Sequence, residues 1–219
     1  MIYTALGDSI TYGEGASCPA RAYPHLIVSA VNKGRSGTGC VRGMVLAHPS
    51  WDSCALLRVM RLEGPALFRQ SKVVSVWIGG MDLVEAALAA YRTGRSRIAQ
   101  AVSAFETHLG GILAFIKRTS DARIVCCTQY NPFPASPIAV AGIGSLNRAI
   151  GEAAARHGAV VAPAHAWFEG RQAELIRGYK TGRLEDALHG GSLPIHPNDR
   201  GHRVIASGLL PHLLQCRPS

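Results

Sequence analysis

Ile2-Tyr3-Thr4-Ala5-Leu6 is a short, mostly apolar run that stops at Gly7-Asp8. Such a run ending in turn residues predicts a buried strand entering a tight turn. From Ala20 to Val31 the apolar positions Tyr23, Leu26, Ile27, Ala30 and Val31 recur at helical spacing and stop at Asn32-Lys33-Gly34. A second helix is predicted over Trp51–Leu62. Val73-Val74-Ser75-Val76-Trp77-Ile78 is continuously β-branched or aromatic and closes on Gly79-Gly80, the pattern of a central strand buried on both faces. A long helix is expected over Arg97–Arg118, and a third strand over Arg123–Thr128, ended by Pro132 and Pro134. Ile138–His157 reads as helix, Ala159–Ala162 as a short strand and His202–Leu214 as a closing helix.

Strands alternating with helices predict an α/β chain, a three-layer α/β/α sandwich around a parallel sheet. In such sheets ligands sit beyond the C-terminal ends of the strands. The loops after Leu6 and Ile78 are therefore expected to meet there. With 219 residues and no convincing linker or repeat, residues 1–219 are expected to form one domain.

Composition narrows the function classes. Apolar residues make up 47% and charged residues 17%, which excludes a disordered, solvating chain. No apolar run approaches the ~20 residues that span a bilayer. The first residues lack a basic segment and a cleavage-type site, so the expected location is cytoplasmic. The net charge is +9, but the arginines are scattered, and the lysines are only Lys33, Lys72, Lys117 and Lys180. With no basic run, the charge reads as a solvated surface and no nucleic-acid partner is expected. The six cysteines, at 18, 40, 54, 126, 127 and 216, show no metal-type spacing, and Cys126 and Cys127 read as small core residues. No metal or organic cofactor is expected.

Two segments carry the candidate chemistry. Ser9 stands just after the first strand, where a hydroxyl is presented and its own N–H points into the same space, as a nucleophile that also donates to an oxyanion requires. The plainer reading is that Asp8 and Ser9 cap a helix. Near the other end, His196-Pro197-Asn198-Asp199-Arg200-Gly201 places a histidine immediately before a helix start. A nucleophile loop after strand one and a presented histidine before the last helix make the Ser–His half of a triad. No GxSxG elbow, Walker A loop, HExxH or complete GxGxxG is present.

The chain resembles the SGNH (GDSL-type) hydrolases. Gly7-Asp8-Ser9-Ile10-Thr11-Tyr12-Gly13 matches their first block, Asn32 to Thr38 the second, and His196-Pro197-Asn198 with Gly201 the last. The resemblance implies a flavodoxin-like layering, and ester hydrolysis by a Ser9 nucleophile with His196 as general base. It also implies an oxyanion hole from the N–H groups of Ser9 and Gly37, and no cofactor. The family contains esterases, lipases, thioesterases and carbohydrate deacetylases. A small-molecule ester is thus the expected partner, with Met81 and Tyr130 expected at the substrate. The alternatives are a weakened acyl- or carbohydrate-binding protein and an acyltransferase or deacetylase on the same site.

Two positions depart from the pattern. The family's Gly-x-Asn-Asp block reads Gly79-Gly80-Met81-Asp82, and a thioether donates no hydrogen bond. Amides from Gln129 or Asn131 are candidates to fill in, although both suit a capping role in the strand-end loop. The triad acid, three residues before the histidine, is replaced by Leu193. The favoured rescue is a dyad in which a backbone carbonyl supports His196; Asp186 and then Asp199 are the alternative acids. His189, in Asp186-Ala187-Leu188-His189, is read as a decoy. Glu14 and Arg35 lie in the two site loops, where solvated charge is the plainer reading.

Overall fold

A computed structural model describes residues 1–34, 40–93, 97–187 and 193–214, with the backbone alone over 88–93. In chain order the elements are β1 (Ile2–Gly7), α1 (Ser9–Tyr12), α2 (Tyr23–Lys33), β2 (Arg42–Ala47), α3 (Ser53–Glu63), α4 (Ala66–Arg69) and β3 (Ser71–Trp77). They continue with α5 (Gly80–Thr93), α6 (Ile98–Thr119), β4 (Arg123–Cys127), α7 (Pro137–Arg156), β5 (Val160–Ala162), α8 (Ala164–Phe168), α9 (Gln172–Leu175) and α10 (Asp199–Leu214).

The five strands pair in the order β2-β1-β3-β4-β5, and every pair is parallel. This is the doubly wound order, in which the chain leaves β1 towards one edge and returns to build the other, opening a crevice between β1 and β3. Parallel neighbours need crossover helices, so both faces of the sheet are covered. The expected α/β/α layering is what the chain adopts.

Period-two alternation sorts the strand side chains between the faces. Leu6, Val74, Val76, Ile124 and Cys126 pack with Leu56, Phe105, Ile112 and Leu146 from α3, α6 and α7. Tyr3, Ala5, Val73, Trp77, Val125 and Cys127 pack with Tyr23, Ile27, Phe168, Ile205 and Leu209 from α2, α8 and α10. Cys126 and Cys127 are thus core residues on opposite faces. Polar strand residues are buried in pairs: Tyr3 OH with Ser75 Oγ at 2.8 Å, and Thr4 Oγ1 with Ser71 Oγ at 2.8 Å.

Several elements carry no clear mark in the sequence, β2 and α5 the longest of them beside the short helices α4, α8 and α9. β2 is an edge strand of exposed and half-buried residues, and its apolar run Met44-Val45-Leu46-Ala47 holds one β-branched residue and no aromatic, so it does not read as strand the way β3 does. The helix α5 begins directly at Gly80, in a segment read only as a turn. α2 also starts at Tyr23 rather than Ala20, because Pro19–Arg21 forms a separate 3₁₀ turn and Pro24 fits the first helical turn. Among the described residues no helix is long and apolar enough to cross a membrane.

Candidate active site

Ser9 is the first residue of α1, directly beyond the end of β1. Gly7 makes that exit possible. A Cβ there would lie 2.2 Å from the Trp77 carbonyl oxygen, so only glycine lets the β1–α1 turn pass against the end of β3. Asp8 caps the short helix, its Oδ1 accepting from the Ile10 N–H at 3.0 Å. The capping and nucleophile readings are therefore compatible, since Asp8 caps while the Ser9 hydroxyl faces His196.

His196 Nε2 lies 3.1 Å from Ser9 Oγ, although 187 residues separate them. Its loop is anchored on both sides. Asn198 accepts from the N–H groups of Arg200 and Gly201 at 2.9 and 3.0 Å, capping α10, while its Nδ2 donates to the Glu174 carbonyl at 2.8 Å. The His196 carbonyl accepts from Arg177 N–H at 2.9 Å, and Tyr130 OH donates to the Ile195 carbonyl. Tyr130 is itself fixed by stacking on Phe168, ring centroids 4.0 Å apart. It thus lines the cleft and also steadies the residue preceding His196.

The pair opens on a cleft of about 240 Å³ lined by the first turns of α5 and α7 and the loop after β4. Its walls are mainly aliphatic and aromatic, with Leu83, Val84, Ile98, Phe133, Ile138 and Ile143 prominent. Met81 lies in the lining where the family's Asn would stand, so that side chain adds apolar surface and no donor. Gln129 does not fill in. Its Oε1 accepts from Trp77 Nε1 at 2.9 Å and its Nε2 donates to the Ile78 carbonyl at 3.0 Å. Asn131 Oδ1 accepts from Phe133 N–H at 2.9 Å, closing its own turn. Gly37 and Arg35 lie outside the described residues, as does His189.

Neither alternative acid reaches His196. Asp186 accepts from Thr181 N–H, Thr181 Oγ1 and Gly182 N–H at 2.8 to 2.9 Å, closing an exposed loop. Asp199 accepts from Ser17 N–H and Oγ at 2.8 and 2.7 Å. Among the described residues no carbonyl supports Nδ1 either. The Ile195 carbonyl is taken by Tyr130 and that of Leu193 accepts from Ile195 N–H. The carboxylate that does reach the imidazole is Glu14, with Oε2 3.3 Å from Nε2. Sequence reading left it as a loop charge. The one mark it carries is its place between Gly13 and Gly15, directly after the first block.

Burial holds His196 below the ordinary imidazole value near 6.5, with Glu14 pushing the other way. At neutral pH the imidazole is therefore a free base. Burial also pushes the Asp8 carboxyl up to about 7, helped by the nearby charge of Asp82 and opposed by the Ile10 N–H. Among the described residues no group of three His, Cys, Asp or Glu side chains could hold a metal ion.

The model of the GDSL-like lipase/acylhydrolase family matches residues 5–204, from β1 into α10. The chain belongs to that family. Three solved structures share its fold at low identity. The lipase Lip_vut3 from a goat rumen metagenome has a TM-score of 0.76 at 22% identity, with 97% of each chain covered. Phospholipase A1 from Streptomyces albidoflavus NA297 gives 0.71 at 20%, again with 97% of each covered. The acetylxylan esterase Axe2 from Geobacillus stearothermophilus gives 0.72 at 15%, covering 98% of this chain and 94% of that one. No curated protein matches the sequence. As a GDSL-family chain, it keeps Ser9 and His196 in contact while lacking the Asn and Asp that the family pattern places around them.

Proposed function

We propose that this chain hydrolyses carboxylic esters with apolar acyl groups through an acyl-enzyme on Ser9. The observation that carries the reading is the 3.1 Å contact between Ser9 Oγ and His196 Nε2 at the mouth of an apolar cleft. In the first half-reaction Nε2 takes the hydroxyl proton as Oγ bonds to the carbonyl carbon. The tetrahedral oxyanion is held by the N–H of Ser9 and that of Gly37, the donors that family resemblance implies. Collapse breaks the ester C–O bond, and the leaving alkoxide receives the proton from His196. Water, deprotonated by His196, then attacks the acyl-enzyme and releases the acid.

Met81 adds no side-chain donor to that pair. Losing one oxyanion donor costs roughly 3–4 kcal/mol in other serine hydrolases. A slow enzyme with good acyl binding follows from that exchange of an amide for a thioether. A fluorophosphonate probe tests the reading directly. It is expected to modify the native protein once, on the peptide containing Ser9. An unmodified Ser9 under conditions that label an ordinary serine esterase would sink the proposal.

The cleft supports an acyl rather than a sugar substrate, because a carbohydrate needs several convergent polar groups and these walls present few. Gly142 gives a way to check it. A Cβ there would sit 3.8–3.9 Å from Ile98 and Leu83, ordinary contact on the cleft wall, so a larger side chain would occupy acyl space. Gly142→Leu is expected to lower kcat/KM for an octanoyl ester at least about tenfold relative to an acetyl ester. Equal effects on both esters would place the acyl group elsewhere.

A further inference from the structure

Glu14 follows α1 between two glycines in the left-handed region, Gly13 at φ 107° and Gly15 at φ 87°. A Cβ on Gly15 would come within 2.2 Å of the Pro197 carbonyl oxygen and 3.1 Å of His196 Cβ, so this loop runs directly against the His196 segment. Three further ties fix it. Ser17 donates twice to the Asp199 carboxylate, at 2.8 and 2.7 Å. Buried His202 bonds through Nε2 to the Glu14 carbonyl at 3.1 Å, while its Nδ1 accepts from Tyr23 N–H at 3.3 Å. The start of α10 thereby carries both His196 and the clamp for the Glu14 loop. Among the described residues Glu14 is the only carboxylate within ion-pair distance of His196, and it faces the same nitrogen that faces Ser9.

We propose that Glu14 supplies the negative charge that stabilises the His196 imidazolium during turnover, a positioning residue acting from the Nε2 side in place of the acid absent at Leu193. The inference rests on the Ser9–His196 reading. A carboxylate beside an imidazole interacts weakly with the neutral ring and strongly with the cation. Its effect is therefore confined to the protonated ring, formed in turnover when Ser9 gives up its proton and in the free enzyme by titration at low pH. The proton passes from Oγ to Nε2 and on to the leaving alkoxide, and none is transferred to Glu14. The carboxylate side chain is 39% exposed, so water screens part of the attraction and the benefit is modest. Of the other ionisable groups near His196, Asp8 is turned to Ile10 N–H, and Asp199 is turned to Ser17. His202 is held neutral by burial, and Arg177 contributes its backbone N–H.

The test is the pH profile of kcat/KM for an uncharged ester in the native protein, Glu14→Gln and Glu14→Asp. The acid limb reports the neutral free base, so activity falls as pH drops through the His196 pKa. Removing the carboxylate lowers that pKa. The limb in Glu14→Gln is expected to move down by about half a unit to one unit, with the plateau kcat reduced about three- to tenfold. Glu14→Asp should retain most of both, and KM should change little in either. An NMR titration of the His196 ring gives the same comparison without turnover and is expected to shift in the same direction. A limb and ring titration unmoved in Glu14→Gln overturn the proposal, as does equal loss in both variants at an unmoved limb. If the native protein is not labelled by fluorophosphonate, the Ser9–His196 reading fails and Glu14 with it; if it is labelled while the limb stays put, Glu14 alone fails.

Discussion

Ser9→Ala is expected to lower kcat/KM for a short-chain chromogenic ester by at least about 10⁴-fold while leaving the fold intact. The loss is large because the hydroxyl forms the bond to the acyl carbon. Once it is gone, only the backbone donors and the cleft act on the ester, and no acyl-enzyme forms. The fold should survive for reasons local to α1. The Ser9 side chain bonds only His196 among the described residues, whereas its carbonyl holds the turn by accepting from Gly13 and Glu14 N–H at 3.0 and 2.9 Å. Alanine keeps that carbonyl and favours helix. The check is a kinetic assay paired with a thermal melt. Hydrolysis retained in a folded Ser9→Ala protein would show that another group carries the reaction.

The sites of highest legibility were those where sequence and backbone geometry are locally coupled. β3 and β4 could be read because strands buried on both faces are nearly continuous apolar runs, broken in β3 by a serine that is hydrogen-bonded across the sheet. β2 could not, because its run Met44-Val45-Leu46-Ala47 has a single β-branched residue and does not separate strand from helix. The Ser9 and His196 blocks were readable for a related reason. A nucleophile at a strand exit needs Gly7 for the close approach to Trp77, and a histidine before a helix needs Asn198 to cap α10. Each requirement leaves a short string of residues in the chain.

The support for His196 left no such string. Asp186 and Asp199 looked suitable because they are near in sequence, yet each carboxylate is consumed by backbone and hydroxyl donors in its own neighbourhood. Glu14 is 182 residues away, and it meets His196 only because α10 clamps the loop after α1. Charge pairing across the fold is a tertiary outcome, and nothing in residue spacing encodes it. The same holds for Gln129, whose amide is absorbed between Trp77 and Ile78 rather than turned into the cleft.

The second large effect is expected in stability and comes from Asp8. Its carboxyl is buried and pushed from 3.8 up to about 7, so between those values the folded protein holds a proton that the unfolded chain has released. A group whose folded pKa is raised contributes stability that is complete below the unfolded value and is lost as pH rises through the folded one. The shift corresponds to about 4 kcal/mol, on the order of 10 °C in Tm for a chain of this size. Asp8→Asn isolates it, because the amide does not titrate while its oxygen can still accept from Ile10 N–H. Any loss of a second acceptor in the variant adds an offset that does not depend on pH. The stability of the native protein relative to Asp8→Asn should therefore fall steadily between pH 4 and pH 8. A difference that stays flat across that window would mean Asp8 remains ionised in the fold. The cap on which Ser9's helix depends is thus a carboxyl half-protonated near neutrality, so the geometry of the nucleophile is maintained against a desolvation cost that grows with pH.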